Sequence, residues 1–376
     1  MNFDKLDKLI DSMEARYSVP GCQVWVYHDH RLAHRHSAGF ADGARTRPVS
    51  EGDMYILYSA TKVITNVAMM RLVEQGKLGL EDELSRYLPE FSRMQVQTPD
   101  GLRPAERAIT IRDLSTMRAG LSYNLDTPYI RAARQAGKRT TREMMAAIAE
   151  EPLLFEPSTH FHYSLCHDVL GAVIEVASGM RFGEYLRREI FEPLGMADVT
   201  FKPTQEQRRR ITAQYRYEPE TACVVQIPQD NPFALAEDYE SGGAGLYATA
   251  PDYLRLAAAL ANCGRSDEGY QLLSPQSVDR MRQDELCGAC RQDFDAIGRV
   301  GYSYGLGVRT MVEPERHGFR TTKGEFGWDG AASSYVSIDP AHGLAIFFGM
   351  QVMGYGAMYD EVHPAIRELV YEAIME

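Results

Sequence analysis

Apolar and polar positions alternate with period two near both ends of the chain and recur at helical spacing through its middle. The segments "CQVWVYH" and "RLAHRHSAGF" flank the turn-like "DHR" and predict an N-terminal hairpin. Near the other end, "YGLGVRTMV", "AASSYVSIDP" and "LAIFFGMQV" read as strands, and "YDEVHPAIRELVYEAIM" reads as a closing helix. Between them the periodic segments 60–76, 110–118, 141–150, 166–178, 182–190 and 251–262 are helical. Strands from both ends then complete one antiparallel sheet, with a largely helical region inserted. The expected division is a sheet domain from residues 1–58 and 240–376 and a helical domain from 59–239, with a site at their junction. Neither an internal repeat nor a low-complexity linker interrupts this pattern.

Composition narrows the partners. The 376 residues are 44% hydrophobic, enough for a large core, and carry a net charge of -12. That sign repels nucleic acid and anionic membranes, so a small-molecule partner is the better expectation. The start, "MNFDKLDKLIDSMEARY", lacks the basic-then-apolar plan of a signal peptide, and no apolar run reaches membrane-spanning length. A soluble, cytoplasmic protein is expected; the oligomeric state leaves no signal.

Six cysteines lie scattered and are read as reduced thiols. The pair Cys287 and Cys290 in "CGAC" lacks the second pair of a structural zinc site. His28, His30, His34 and His36 crowd the first hairpin without an accompanying carboxylate pattern, so no metal or other cofactor is expected. The cluster "SGGAGLYATAPDY" lacks the Lys-Ser/Thr ending of a phosphate loop and is read as a tight turn before a helix near Pro251.

The chemistry concentrates at "LYSATKVITNVAMM". Ser59 and Lys62 stand three apart at the start of a predicted amphipathic helix, so they share a face, and the hydroxyl lies near the positive helix end. A serine hydroxyl needs a base within reach to attack a carbonyl, and a partly desolvated lysine can serve as one.

The stretch "YSATKVITNVAMMRLVEQGKLGLEDELSRYLPEF" resembles the active-site helix and following segment of the serine β-lactamase and penicillin-binding-protein superfamily. "TIRDLSTMRAGL", "PSTHFHYSLCHDVLGAVIEVASGMRFGEYLRREIFEPLGM" and "SGGAGLYATAPDYLRLAAAL" follow in the same order. The resemblance, over about residues 20–350, implies the β-lactamase/DD-peptidase-like α/β (α+β) fold: an antiparallel sheet with helices on both sides and an all-helical lobe. It implies Ser59 as nucleophile, Lys62 as its proton-handling partner and Tyr163 as the second-motif tyrosine. A lysine ammonium beside that phenol would lower its pKa, so the pair can pass one proton, with the resting holder undecided.

Two departures distinguish this chain. Where penicillin-recognising enzymes carry a second-motif asparagine and a third-motif Lys-Thr-Gly or His-x-Gly, it has Tyr163-Ser164-Leu165 and Trp328-Asp329-Gly330. Loss of the cation, with Asp329 expected to face the site, argues against carboxylate-bearing substrates. The motifs look like those of the family VIII carboxylesterases, which implies a metal-independent hydrolase of small neutral esters. β-Lactamase, D-amino-acid peptidase, acyltransferase and a non-catalytic binding protein are the alternatives. By the same match, the backbone N–H groups of Ser59 and Ala331 form the oxyanion hole. Trp328, Asp329 and Gly330 would contact substrate, with Ala331 on an edge strand and Gly330 leaving room for substrate to approach.

Overall fold

The computed structural model describes residues 1–376 except 317 and 319. Its seven-stranded sheet runs, from edge to edge, Arg31–Gly39, Gly21–His28, Leu344–Gly349, Tyr335–Asp339, Phe326–Asp329, Arg309–Met311 and Tyr302–Tyr304. Every neighbouring pair is antiparallel. The N-terminal hairpin meets the C-terminal strands directly, with Trp25 opposite Phe347 and Val26 opposite Ile346. The segment read as one strand, "YGLGVRTMV", is two. Gly307 turns the chain between them at φ 71°, and a Cβ there would lie 1.7 Å from the Asn66 side chain. The strand Phe326–Asp329 is interior rather than at an edge, because Arg309–Met311 pairs on its far side.

Strand alternation sends successive side chains to opposite layers. Val24 and Val26 pack under the helices Asp4–Asp11, Met13–Tyr17 and His363–Met375. Trp25 and Tyr27 face the larger core, which includes the helices Thr61–Glu74, Cys166–Ser178 and Ala250–Ala261. Thr249 caps the last of these, accepting from the Asp252 N–H, and Pro251 lies in its first turn. The inserted region also carries a hairpin, Gln214–Glu218 with Cys223–Ile227, whose first strand pairs in parallel with Val352–Met353. Hairpin histidines engage carboxylates of the first helix, His34 with Asp7 at 2.6 Å and His36 with Asp11 at 2.7 Å. Among the described residues, no helix is long and apolar enough to cross a membrane.

The helix Thr61–Glu74 departs from expectation in a way that matters. Rather than presenting one polar face, it is buried on every side from Thr61 to Met70. Polar residues in its first turns are therefore desolvated and must find partners inside the protein. Thr65 donates to the Gly242 carbonyl at 2.6 Å, and Asn66 donates to the Lys62 carbonyl at 2.8 Å.

Candidate active site

Ser59 lies in a single tight turn, Tyr58–Ala60, that runs straight into the helix Thr61–Glu74. Tyr58 holds φ at 48°, a left-handed conformation rare for a bulky residue, and its hydroxyl is tied to Gln214. The strained residue throws the Ser59 side chain toward Lys62, whose Nζ is 3.1 Å from Ser59 Oγ. Lys62 is fully buried and donates to the Gly243 carbonyl at 2.7 Å. Burial drives its pKa down to about 7, and the buried Asp168 opposes that only in part. Near neutral pH much of the amine is therefore uncharged. One N–H goes to Gly243, and the lone pair is available to the serine proton.

The glycine cluster thus does more than turn the chain before Ala250–Ala261. A Cβ on Gly242 would lie 2.3 Å from the His167 carbonyl oxygen, and one on Gly243 would lie 2.4 Å from an Asp168 carboxylate oxygen and 3.5 Å from Lys62 Nζ. Only bare backbone lets these carbonyls approach the helix.

Tyr163 stands across from Ser59, with Lys62 Nζ 4.6 Å from its ring centroid. The Trp328 indole N–H donates to the Tyr163 hydroxyl at 2.9 Å, and the two rings stack at 5.6 Å. Because an indole N–H only donates, the Tyr163 oxygen accepts there and its own proton is left to point elsewhere. Burial pushes the phenol well above its ordinary range, with interactions from Ser59 and Trp328 offsetting part of this. The expected ammonium-lowered phenol is thus not what the fold builds: desolvation moves both groups toward their neutral forms. Tyr123 completes the group, edge-on to Tyr163 at 5.6 Å and stacked on Phe233 at 5.8 Å. Neither Tyr123 nor Phe233 stands in a motif with Ser59, so spacing alone offered no signal for them.

The segment after Phe326–Asp329 abuts the serine turn. Ser334 Oγ donates to the Leu57 carbonyl at 3.2 Å, and a Cβ on Gly330 would lie 2.4 Å from that same oxygen. Glycine is required at 330 by this backbone contact. The turn is closed by Gly330 N–H to Ser334 O at 2.7 Å and Ser333 N–H to Gly330 O at 2.9 Å, and neither bond uses the Ala331 N–H.

Asp329 overturns its expectation. Alternation places it on the sheet face opposite Trp328, where Arg299 meets its carboxylate at 2.6 Å and Arg309 at 3.0 Å. Burial raises its pKa, but Arg309 and Arg299 outweigh that and hold it below the usual range. It is a doubly compensated carboxylate facing the layer of His363–Met375, and it offers no bare charge beside Ser59.

The Beta-lactamase family model matches residues 6–371. The chain belongs to the Beta-lactamase family. Within it, Esterase EstB of Burkholderia gladioli is 28% identical over 98% of this chain and 94% of its own. Protein Rv1367c of Mycobacterium tuberculosis is also 28% identical, over 89% of this chain and 86% of its own. Among solved structures, Simvastatin Synthase (LovD) from Aspergillus terreus superposes with a TM-score of 0.82 at 23% identity, covering 99% of both chains. EstCE1, a hydrolase with promiscuous acyltransferase activity, gives 0.81 at 24%, over 98% of this chain and 97% of its own. The β-lactamase-like α/β fold is therefore this chain's fold, and esterases and acyltransferases stand among its Beta-lactamase family relatives.

Proposed function

We propose that this chain is a serine esterase that cleaves small neutral carboxylic esters through an acyl-enzyme on Ser59. The observation that carries the reading is the buried Lys62, 3.1 Å from Ser59 Oγ, where burial brings its pKa down to about 7. Lys62 takes the Ser59 proton as Oγ attacks the ester carbonyl. The oxyanion is met by the Ser59 and Ala331 N–H groups, which strengthen as charge develops. Collapse breaks the bond to the leaving alkoxide, which takes a proton from Tyr163, replenished from Lys62. Water then repeats the sequence in reverse and frees the acid. Neutral substrates are favoured because the third-motif position holds Trp328, while Arg299 and Arg309 lie on the opposite face of the sheet and are both paired with Asp329.

Acyl transfer to an alcohol other than water is the second reading, supported by relatives such as the methylbutanoyltransferase of Penicillium citrinum, 26% identical over 79% of this chain. The aromatic group of Tyr123, Tyr163, Phe233 and Trp328 suits an apolar acceptor as readily as an apolar acyl chain. Intact-mass measurement after fluorophosphonate treatment tests the shared first step. One adduct is expected on the wild type and none on Ser59→Ala; an adduct retained by Ser59→Ala would overturn the proposal. Partitioning of the acyl group between water and added butanol then separates hydrolase from transferase.

A further inference from the structure

The turn Gly330–Ser334 is held from its far side by a short π-helical turn, Met358–Val362, that leads into the helix His363–Met375. From it Tyr359 donates its hydroxyl to the Gly330 carbonyl oxygen at 2.8 Å. His363 Nε2 donates to the Ser333 carbonyl at 3.1 Å, and the Ser333 hydroxyl donates to the Val352 carbonyl at 3.0 Å. The Gly330 carbonyl and the Ala331 N–H belong to one peptide plane, so a donor on the oxygen acts on the nitrogen at the opposite end.

We propose that Tyr359 is a positioning residue for the reaction, orienting and polarising the Gly330–Ala331 peptide whose N–H meets the oxyanion. This rests on the acyl-enzyme reading above. The Gly330 oxygen receives two donors, the Ser333 N–H at 2.9 Å and the Tyr359 hydroxyl at 2.8 Å. Each withdraws electron density from the carbonyl and makes the linked N–H a stronger donor, since chains of hydrogen bonds polarise one another. The peptide is planar, so fixing its oxygen also fixes the direction of its N–H.

Tyr359 is itself well set. Its ring lies edge-on to His363 at 5.3 Å, and the Arg299 guanidinium lies 5.4 Å from its centroid. Burial pushes its pKa up to about 12, so the hydroxyl keeps its proton and remains a donor through the physiological range. The phenol hydrogen-bonds the Gly330 oxygen rather than Ser59 or Lys62, and its remaining influence on the group is a weak Coulombic one that helps keep Tyr163 protonated.

The test is Tyr359→Phe, which removes the hydroxyl but leaves the Gly330 oxygen satisfied by Ser333, so the fold is expected to hold. A kcat for p-nitrophenyl acetate lower by about tenfold, with KM within about twofold, is expected from weakening but not deleting an oxyanion donor. The decisive readout is the isotope-edited infrared carbonyl stretch of the acyl-enzyme, formed with a slowly turned-over 13C=O-labelled ester. It should move to higher frequency in Tyr359→Phe, reporting a weaker hydrogen bond to the acyl oxygen. Incorporation of 3-fluorotyrosine at 359, a more acidic donor of nearly the same shape, should move it to lower frequency and covers the case in which Tyr359→Phe misfolds. An acyl band unmoved by either change overturns the role of Tyr359. Absence of any acyl band on the wild type instead overturns the acyl-enzyme itself, so the two failures are distinguishable.

Discussion

Lys62 and Arg309 are both cations removed from water, at 0% and 2% exposure, and the fold treats them in opposite ways. Arg309 lies 3.0 Å from Asp329 and 3.6 Å from Glu325 and donates to the Val336 carbonyl at 2.9 Å. Burial works against its charge, but the two carboxylates outweigh burial and hold it above its ordinary range. Lys62 has a hydroxyl and a carbonyl within hydrogen-bond reach, and burial prevails, bringing it to about 7. A guanidinium stays charged and suits a fixed ion network, whereas an ammonium yields its proton when desolvated. One buried cation serves architecture; the other is tuned to exchange a proton.

Exchanging each for methionine should split activity from stability. Lys62→Met is expected to lower kcat for p-nitrophenyl acetate by at least about a hundredfold, the scale of lost general-base help, without lowering Tm. Arg309→Met should cost about 3 to 5 kcal/mol in chemical denaturation, because it takes the cation from the fully buried Glu325 and leaves Asp329 with Arg299 alone. A Lys62→Met protein that unfolds while Arg309→Met stays stable would invert the contrast and break it.

Titration sharpens the comparison. If Lys62 acts as base, kcat/KM should rise through a pKa of about 7, since only the neutral amine accepts the serine proton. Its folded pKa lies below the ordinary lysine value of 10.5, so between these values the unfolded chain binds more protons than the folded one. The stability of wild type relative to Lys62→Met should therefore increase from about pH 7 to 10.5 and be flat, at its least favourable, below 7. Denaturant midpoints across that range measure it, and a flat difference throughout would deny that burial discharges the lysine.

The smallest effect is expected at Asp329. With both arginines holding its carboxylate, Asp329→Asn should change the ratio of kcat/KM for a monoanionic ester and its neutral isostere by less than about twofold, since a compensated charge exerts little net field. A gain for the anionic ester much beyond that would return Asp329 to the substrate side.

The pairing of Ser59 with Lys62 was legible because helix geometry acts over three residues, and local spacing carries it. The terminal hairpin and most helices were equally legible, since period two and period 3.6 are written in neighbouring residues. Trp328 and Tyr163 were both singled out, but their stacking and the indole hydrogen bond join positions 165 residues apart. Asp329 was misread because its motif was judged by residue type while alternation and two distant arginines decide its surroundings. Local sequence thus determined the elements, the order of the motifs and the candidate nucleophile and base. Only the tertiary structure decided the charge of Lys62, the face taken by Asp329 and the support of the Gly330–Ala331 peptide by Tyr359, because desolvation and ion pairing depend on what the whole chain packs around a group.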